Sequence, residues 1–213
     1  MRKHLNWASL SMLALTSLCW AAPSDGVREL QTQWAQAMYQ DTGNTQEKHL
    51  GELADQSRNL VALTPKDADA LVWEGIVLAS YAGKVGGLGA LSLVKEAKAA
   101  LERAIEINPK AMDGSAYTSL GSLYYQVPGW PIGFGDDKKA EQYLKRGLEI
   151  NPSGIDPNFF YGDYLYRQGR YDEAEKALQQ ALSAPPRPGR ESADAGRRQE
   201  VMTILSKVRA KKG

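Results

Sequence analysis

Asp156 and Asp163 are the pair of residues whose type and spacing most suggest acid–base chemistry. Two carboxylates can share the roles of general acid and general base when their surroundings separate their pKa values. Seven positions on a helix place them two turns apart on one face. No candidate nucleophile and no cluster of metal ligands accompanies them, so the sequence predicts that the protein is not an enzyme.

A glycine-rich segment, residues 83–90, raises the question of a phosphate-binding loop. In such loops a strand leads into the glycines, the lysine follows them, and a helix begins at the phosphate. Here Lys84 precedes most of the glycines and no strand pattern leads in. Asp136 and Asp137 are better explained as the cap and first turn of a helix. We therefore predict no cofactor and no metal site.

The N-terminal residues have the pattern of a secretory signal peptide. Arg2 and Lys3 precede an uncharged, mostly apolar run that ends at Leu18, with small residues before Ala22. This pattern predicts cleavage between Ala21 and Ala22, and hence a periplasmic protein. The neighbouring Cys19 could instead carry a lipid, but bulky Leu18 fits poorly before a lipidated cysteine. Membrane association is expected only if that residue is lipidated.

Cleavage would leave His49 as the one histidine and would remove the single cysteine of the chain. Thiol catalysis, structural disulfides and Cys/His zinc sites are then excluded. The formal net charge of +1 would turn slightly negative, because the removed segment carries two basic and no acidic residues. A surface without excess positive charge predicts no nucleic-acid partner.

Three segments repeat a small–large–small pattern at i, i+4 and i+7, which lies on one face of a helix and lets a neighbouring helix approach closely. They are Ala97, Leu101 and Ala104; Ala140, Leu144 and Gly147; and Ala174, Leu178 and Ala181. A proline ends each segment, and a helix with a central glycine (Gly75, Gly121 or Gly162) precedes each. These features resemble the tetratricopeptide repeat.

The resemblance implies an all-α fold, a right-handed superhelical solenoid of antiparallel helix pairs. The predicted division is a signal peptide at 1–21, a degenerate helical hairpin at 22–66, repeats at 67–110, 111–153 and 154–187, and a capping helix at 188–213. The last segment is amphipathic with a basic face, as expected of a helix that covers the end of a solenoid.

The first two repeats are longer than the third between their two helices. One insertion is glycine-rich, within 83–92, and the other contains Pro, Gly and aromatic residues, within 127–135. Both are expected on the same edge of the solenoid, where their apolar residues either pack on each other or form a contact patch or cavity for a partner. That apolar edge comprises Val85, Leu88, Trp130, Ile132 and Phe134.

The first helix of each repeat is expected to face a concave groove. The predicted groove residues are Asp69, Val72, Ile76, Ser115, Thr118, Ser122, Tyr125, Asp156, Phe159, Asp163 and Tyr166. Repeats that clamp a terminal carboxylate use inward Lys, Arg and Asn, and this set contains none. Its tyrosines suit either varied contacts with a partner or plain helix packing.

The segment Gly135–Ala140 before a helix, in a chain with an export signal, is similar to the accessory T component of tripartite ATP-independent periplasmic (TRAP) transporters. That resemblance implies an apolar cavity and a solute-binding partner subunit. Two hypotheses follow. The first is a periplasmic scaffold that binds a protein of unknown identity, and the second is a transport accessory that binds a small apolar ligand.

Overall fold

The computed structural model describes residues 24–212, so the predicted signal peptide, its cleavage site and Cys19 lie outside the described residues. Within this range the regular structure is all α-helical. The helices are α1 (Asp25–Tyr39), α2 (Gly43–Leu63), α3 (Ala68–Val85), α4 (Gly87–Ile107), α5 (Ser115–Gln126), α6 (Asp137–Ile150), α7 (Ile155–Arg167), α8 (Tyr171–Leu182) and α9 (Glu191–Lys212). A short 3-10 turn, Ala111–Gly114, precedes α5. None of these helices combines the length and apolarity needed to cross a membrane.

Sequential helices pack as antiparallel pairs through the repeated glycines and leucines. A Cβ added to Gly75, Gly121 or Gly162 would lie 2.5, 2.6 or 2.7 Å from the Cγ of Leu101, Leu144 or Leu178, respectively. Each glycine thus lets the leucine of the second helix reach the backbone of the first. Helices α3 and α4, α5 and α6, and α7 and α8 are paired in this way. The predicted all-α repeat fold is confirmed.

The first insertion forms helix and not a loop. Helix α3 continues to Val85 and α4 begins at Gly87, so the extra residues lengthen both helices of the pair. The chain turns at Gly86 and Gly87, whose φ angles of 66° and 55° lie in the left-handed region that glycine adopts without strain. Helix-forming Ala, Leu and Lys residues on both sides explain why the segment extends the helices.

The second insertion is a loop that folds back on itself between α5 and α6. Gly135 donates a hydrogen bond of 3.0 Å to the carbonyl of Pro128, and Asp136 donates one of 2.8 Å to that of Tyr124. Asp136 also caps α6, since its carboxylate accepts from the backbone of Lys138 and Lys139 at 3.0 Å. The loop therefore has a defined shape anchored at both ends.

Helix α9 contacts both ends of the helix array. It packs on α7 and α8, as expected of a cap, and it also contacts α1. There the hydroxyl of Tyr39 donates to Glu200 at 3.5 Å, and the amide of Gln40 donates to Ser192 at 3.4 Å. Because α1, α3, α5 and α7 also contact one another in order, these four helices and α9 form a closed inner ring. The sequence had indicated only a cap at the far end.

Candidate functional site

The inner ring encloses a concave cavity of ≈ 1260 Å³, which we call the central groove. Helices α1, α3, α5, α7 and α9 line it, together with the starts of α2 and α4, whereas α6 and α8 contribute no residue. The groove thus faces the first helix of each pair, as the repeat register predicted.

Most of the predicted groove residues line this cavity. They are Ile76, Ser115, Thr118, Ser122, Asp156, Phe159 and Asp163. The other four, Asp69, Val72, Tyr125 and Tyr166, do not line it. Val72 is fully buried in the core, and the Tyr166 ring lies 6.0 Å from that of Tyr171 on α8. These positions lie on the flank of each helix, where contact with the neighbouring helix replaces contact with the groove.

The predicted apolar edge does not form a common cavity. Leu88 and Ile132 lie at the groove and are largely exposed, while Val85 is exposed outside it and the side chain of Trp130 is 89% exposed at the tip of the loop. Phe134 packs edge-to-face on Tyr124, with ring centroids 5.4 Å apart. These five residues therefore do not line one common pocket, and an apolar contact patch for a partner stays a prediction.

The two carboxylates that suggested acid–base chemistry are both engaged in ion pairs. Asp156 accepts from Nη1 of Arg187 at 2.7 Å and from Nε of Arg197 at 2.8 Å. Burial raises the pKa of Asp156, but these guanidinium groups outweigh it and lower the pKa to about 2. This carboxyl therefore stays ionised at neutral pH and serves as a structural anion.

Asp163 is held by groups on two neighbouring helices. It accepts from the hydroxyl of Tyr125 at 2.8 Å and from Nε of Arg167 at 3.1 Å. Burial, followed by the nearby Asp163 carboxylate, raises the pKa of the Tyr125 hydroxyl well above its ordinary value. Tyr125 thus contributes to the groove by orienting a lining carboxylate and not by lining the groove itself.

The sequence analysis missed a group of basic residues that lines the groove beside α9. These residues are Arg167, Arg187, Arg190 and Arg197. The expectation that no arginine points inward is therefore wrong, because the predicted set left out Arg167 at the end of α7 and took no residue from α9 or from the segment before it. The segment between α8 and α9 folds over the groove and brings its arginines in. The signal in the sequence was the spacing of basic residues before and within α9.

Carboxylates pair with Arg187 and Arg197, as Asp163 does with Arg167. Arg187 reaches both Asp156 and Asp194, the latter at 2.6 Å, and Arg197 reaches both Asp156 and Glu200. The Arg197 guanidinium also lies 4.5 Å above the ring of Phe159. This network joins α7, α9 and the segment between α8 and α9 in one partly buried unit.

Arg190 differs from its neighbours because it stacks on an aromatic ring. Its guanidinium carbon lies 4.9 Å from the ring centroid of Trp73, a cation–π contact. The Trp73 ring in turn packs edge-to-face on Trp34, with centroids 5.7 Å apart. Nε1 of Trp34 donates to Ser80 at 2.9 Å. This corner of the groove, formed by α1, α3 and the residues before α9, combines aromatic walls with a cation.

The described residues contain no group of three or more His, Cys, Asp or Glu side chains that could hold a metal ion. The acidic residues Asp156, Asp163 and Glu200 of the groove are instead paired with arginines.

Comparisons with known proteins support the fold and the repeat. Models of the tetratricopeptide repeat match residues 132–190 and 90–111. No match is found among curated proteins. Residues 90–111 and 132–190 therefore match the tetratricopeptide repeat, and the fold is all-α and TPR-like.

Solved structures of repeat proteins are similar in fold. A thermophilic TPR protein of Thermus thermophilus, TTC0263, is 14% identical, with a TM-score of 0.57 over 86% of this chain and 96% of that chain. Two crystal structures of MamA match at a TM-score of 0.46, with 17% and 16% identity, over 82% and 86% of this chain and 96% and 92% of those chains. The first of these likenesses shows the fold alone.

Proposed function

We propose that the protein is a non-catalytic, periplasmic scaffold that holds a segment of a protein partner in its central groove. The fold itself suggests protein partners, since repeat solenoids use concave surfaces for binding. The observation that carries the proposal is the groove of ≈ 1260 Å³ lined by the first helices of the repeats.

The size of the groove favours a polypeptide over a single small molecule. Sites for drug-sized ligands have volumes of about 300–1,000 Å³. This groove is larger and extends from α1 across α3 and α5 to α7 and α9. An extended segment of several residues, at about 3.3 Å per residue, suits such an elongated surface.

The lining also suits a segment with varied side chains. Near α1 and α3 the groove is aromatic and apolar, with Trp34 and Ile76. Along α5 it presents the hydroxyl-bearing residues Ser115, Thr118 and Ser122, and beside α9 it presents arginines. A groove with apolar, hydroxylic and charged sections can hold successive residues of different character.

The proposed compartment rests on the N-terminal residues 1–21, whose pattern is that of an export signal. We propose attachment to a membrane only for a form of the protein in which Cys19 carries a lipid.

The alternative is an accessory of a periplasmic transport system, similar to the T component of TRAP transporters, that binds a small apolar ligand. The aromatic residues of the second insertion do not support it, because Trp130 and Phe134 do not line the groove and Trp130 is exposed to solvent.

Selection of peptides from a random library against the protein tests the proposed function. Ser119 lines the groove on α5, whereas Gln142 is exposed on α6 outside it. We expect Ser119→Trp to abolish binding of the selected peptides and Gln142→Trp to leave it unchanged, with the melting temperatures of both variants close to that of the wild type.

Native mass spectrometry of the protein purified from its own compartment tests the alternative. A bound apolar small molecule, together with failure of the library to yield groove-dependent peptides, would overturn the scaffold proposal. A co-purifying polypeptide that Ser119→Trp displaces would support it.

A further inference from the structure

Three buried hydrogen-bond donors at one corner of the central groove have no partner among the described residues. They are Nε2 of Gln31 on α1, Nε1 of Trp73 on α3 and Nε of Arg190 before α9. All three residues line the groove. Gln31 is 7% exposed and Trp73 is 3% exposed, so solvent reaches little of either side chain.

These donors belong to a single site. The Arg190 guanidinium lies 4.9 Å from the Trp73 ring centroid. Gln31 and Arg190 both line a smaller cavity of ≈ 240 Å³ that adjoins the groove, so they lie close together. Three separate segments of the chain therefore bring unpaired donors to the same corner.

Such a cluster is unusual in a folded protein. About 90% or more of buried polar groups have a hydrogen-bond partner, and an unsatisfied donor costs about 1–3 kcal/mol. Among the described residues, the side-chain nitrogen and oxygen atoms that are fully buried without a hydrogen-bond partner all belong to residues that line the central groove. A ligand that accepts hydrogen bonds would satisfy all three donors at once.

The charges around the corner indicate that the ligand is an anion. Arg187 and Arg197 are paired with Asp156, Asp194 and Glu200. Within the described chain, however, no carboxylate oxygen lies within 4.0 Å of the Arg190 guanidinium. Arg190 is thus the one arginine of this cluster that lacks an anionic partner.

Burial and the neighbouring Arg187 both act against the charged form of Arg190. Burial, and then repulsion from Arg187, lower its pKa to about 10, although Asp156, Asp194 and the Tyr39 hydroxyl act in the opposite sense. The guanidinium is still charged at neutral pH, because a pKa of about 10 lies well above 7. A carboxylate at hydrogen-bond distance would offset the cost of burying this charge.

We infer that this corner binds a carboxylate of the partner segment that occupies the groove, with Gln31, Trp73 and Arg190 as donors. A carboxylate presents only acceptors, and it can receive the amide, indole and guanidinium N–H groups together. The Trp34 and Trp73 rings would flank the apolar part of the residue that carries it. This inference rests on the proposed function and specifies which partner segments bind.

Peptides from the groove selection provide the test. Each is synthesised with a free C-terminus, with an amidated C-terminus, and with its Asp and Glu replaced by Asn and Gln. We expect one of the two neutralised forms to bind about tenfold more weakly to the wild type. A loss on amidation would identify a terminal carboxylate, and a loss on replacement would identify an acidic side chain.

Variants of the corner show whether Arg190 and Trp73 carry the effect. We expect the Arg190→Met variant to bind the carboxylate-bearing peptide as weakly as it binds the neutralised peptide. The loss of affinity on neutralising the peptide and the loss on replacing Arg190 should therefore not add. Trp73→Phe keeps an aromatic ring and removes the indole donor, so it should lose several-fold of the affinity. Arg146→Met, a change at an exposed arginine on α6 outside the groove, is the control and should bind like the wild type.

The outcomes separate the inference from the proposed function. In one outcome, peptides bind in the groove with an affinity that changes neither on neutralisation nor in Arg190→Met. That result would overturn the carboxylate site and leave the scaffold proposal intact. If no peptide binds, succinate is the probe. Its binding is measured by the tryptophan fluorescence of a protein that carries Trp130→Phe. A response to succinate that Arg190→Met abolishes would then reject the polypeptide partner in favour of a small carboxylate, and no response would reject both.

Discussion

Gly196 of α9 lies directly against the ring of Tyr39 of α1. A Cβ added to this glycine would stand 2.3 Å from the Cγ and Cδ1 atoms of the tyrosine ring. No real Cβ approaches an aromatic carbon so closely, so glycine is required for the two helices to meet here. This contact closes the inner ring that surrounds the central groove.

Replacing Gly196 with Ala should weaken the closure. The tyrosine ring is rigid and half-buried, so it must shift to accommodate the added methyl group. We expect the free energy of unfolding to fall by about 1–3 kcal/mol, the usual cost of overpacking, as measured by urea denaturation.

Gly83→Ala is the matched control for that change. Gly83 also lies in a helix, α3, but an added Cβ would meet nothing within 4 Å. Alanine should leave stability unchanged or raise it by up to about 1 kcal/mol, because it has the higher helix propensity. Equal effects of the two variants would show that α9 does not pack on α1.

The contact between the helices of a repeat should be equally sensitive. In Gly121→Ala the new Cβ would lie 2.6 Å from the Leu144 side chain and 3.0 Å from its backbone nitrogen. Since the backbone cannot rotate away, we expect a loss of about 1–3 kcal/mol in the free energy of unfolding. A variant as stable as Gly83→Ala would contradict the pairing of α5 with α6.

Stability should fall in acid because of Asp156. The pKa of this carboxyl is lowered from 3.8 to about 2 in the folded protein, so the unfolded chain binds the proton more tightly. The ion pairs therefore contribute their full stability above about pH 4, and this contribution is lost as the pH falls towards 2. The loss is about 2 kcal/mol, measurable as the free energy of unfolding against pH.

Asp156→Asn should remove that part of the pH dependence. At neutral pH it should also destabilise the fold by about 3–5 kcal/mol, because Arg197 is left buried without one of its carboxylates. Asp55→Asn, at an exposed residue of α2, is the control and should keep the acid dependence of the wild type. An unchanged acid profile in Asp156→Asn would assign the effect to other carboxylates.

Trp130 and Phe134 share one loop but should respond differently to substitution. Trp130→Ala should change stability by no more than about 0.5 kcal/mol, since its side chain is 89% exposed. Phe134→Ala should cost about 1–2 kcal/mol, because it removes the edge-to-face contact with Tyr124. Thermal denaturation of the two variants provides the measurement, and a larger loss for Trp130 would contradict this arrangement of the loop.

The repeat pattern predicted the fold because the pattern consists of residues at short, regular separations in the sequence. Glycine at the centre of one helix and leucine in the next, as in Gly162 and Leu178, mark the close contact between two helices. The pairs α3–α4, α5–α6 and α7–α8 use the same contact, so their first helices and the groove that they face follow from one register. Seven of the eleven predicted groove residues line the groove for this reason.

The remainder depends on contacts between residues far apart in the sequence, which no local period encodes. Arg190 lies more than a hundred residues from Trp73, yet the two stack in one corner of the groove. Likewise, the glycines around Gly86 predict a loop insertion. In the structure, the inserted residues instead lengthen the two helices and leave only a tight turn between them. The repeat spacing is the same with or without these two features, so a prediction made from that spacing could not include them.

The contact between α1 and α9 changes how the molecule can come apart. In an open array of repeats each unit contacts only its neighbours, so the end units can unfold before the middle. Here Tyr39 and Glu200, 161 positions apart, belong to one hydrogen-bonded contact, and neither α1 nor α9 can detach from the array as a whole without breaking it. The array should therefore lose its structure as one cooperative unit, and the groove should keep its shape until the whole fold is lost.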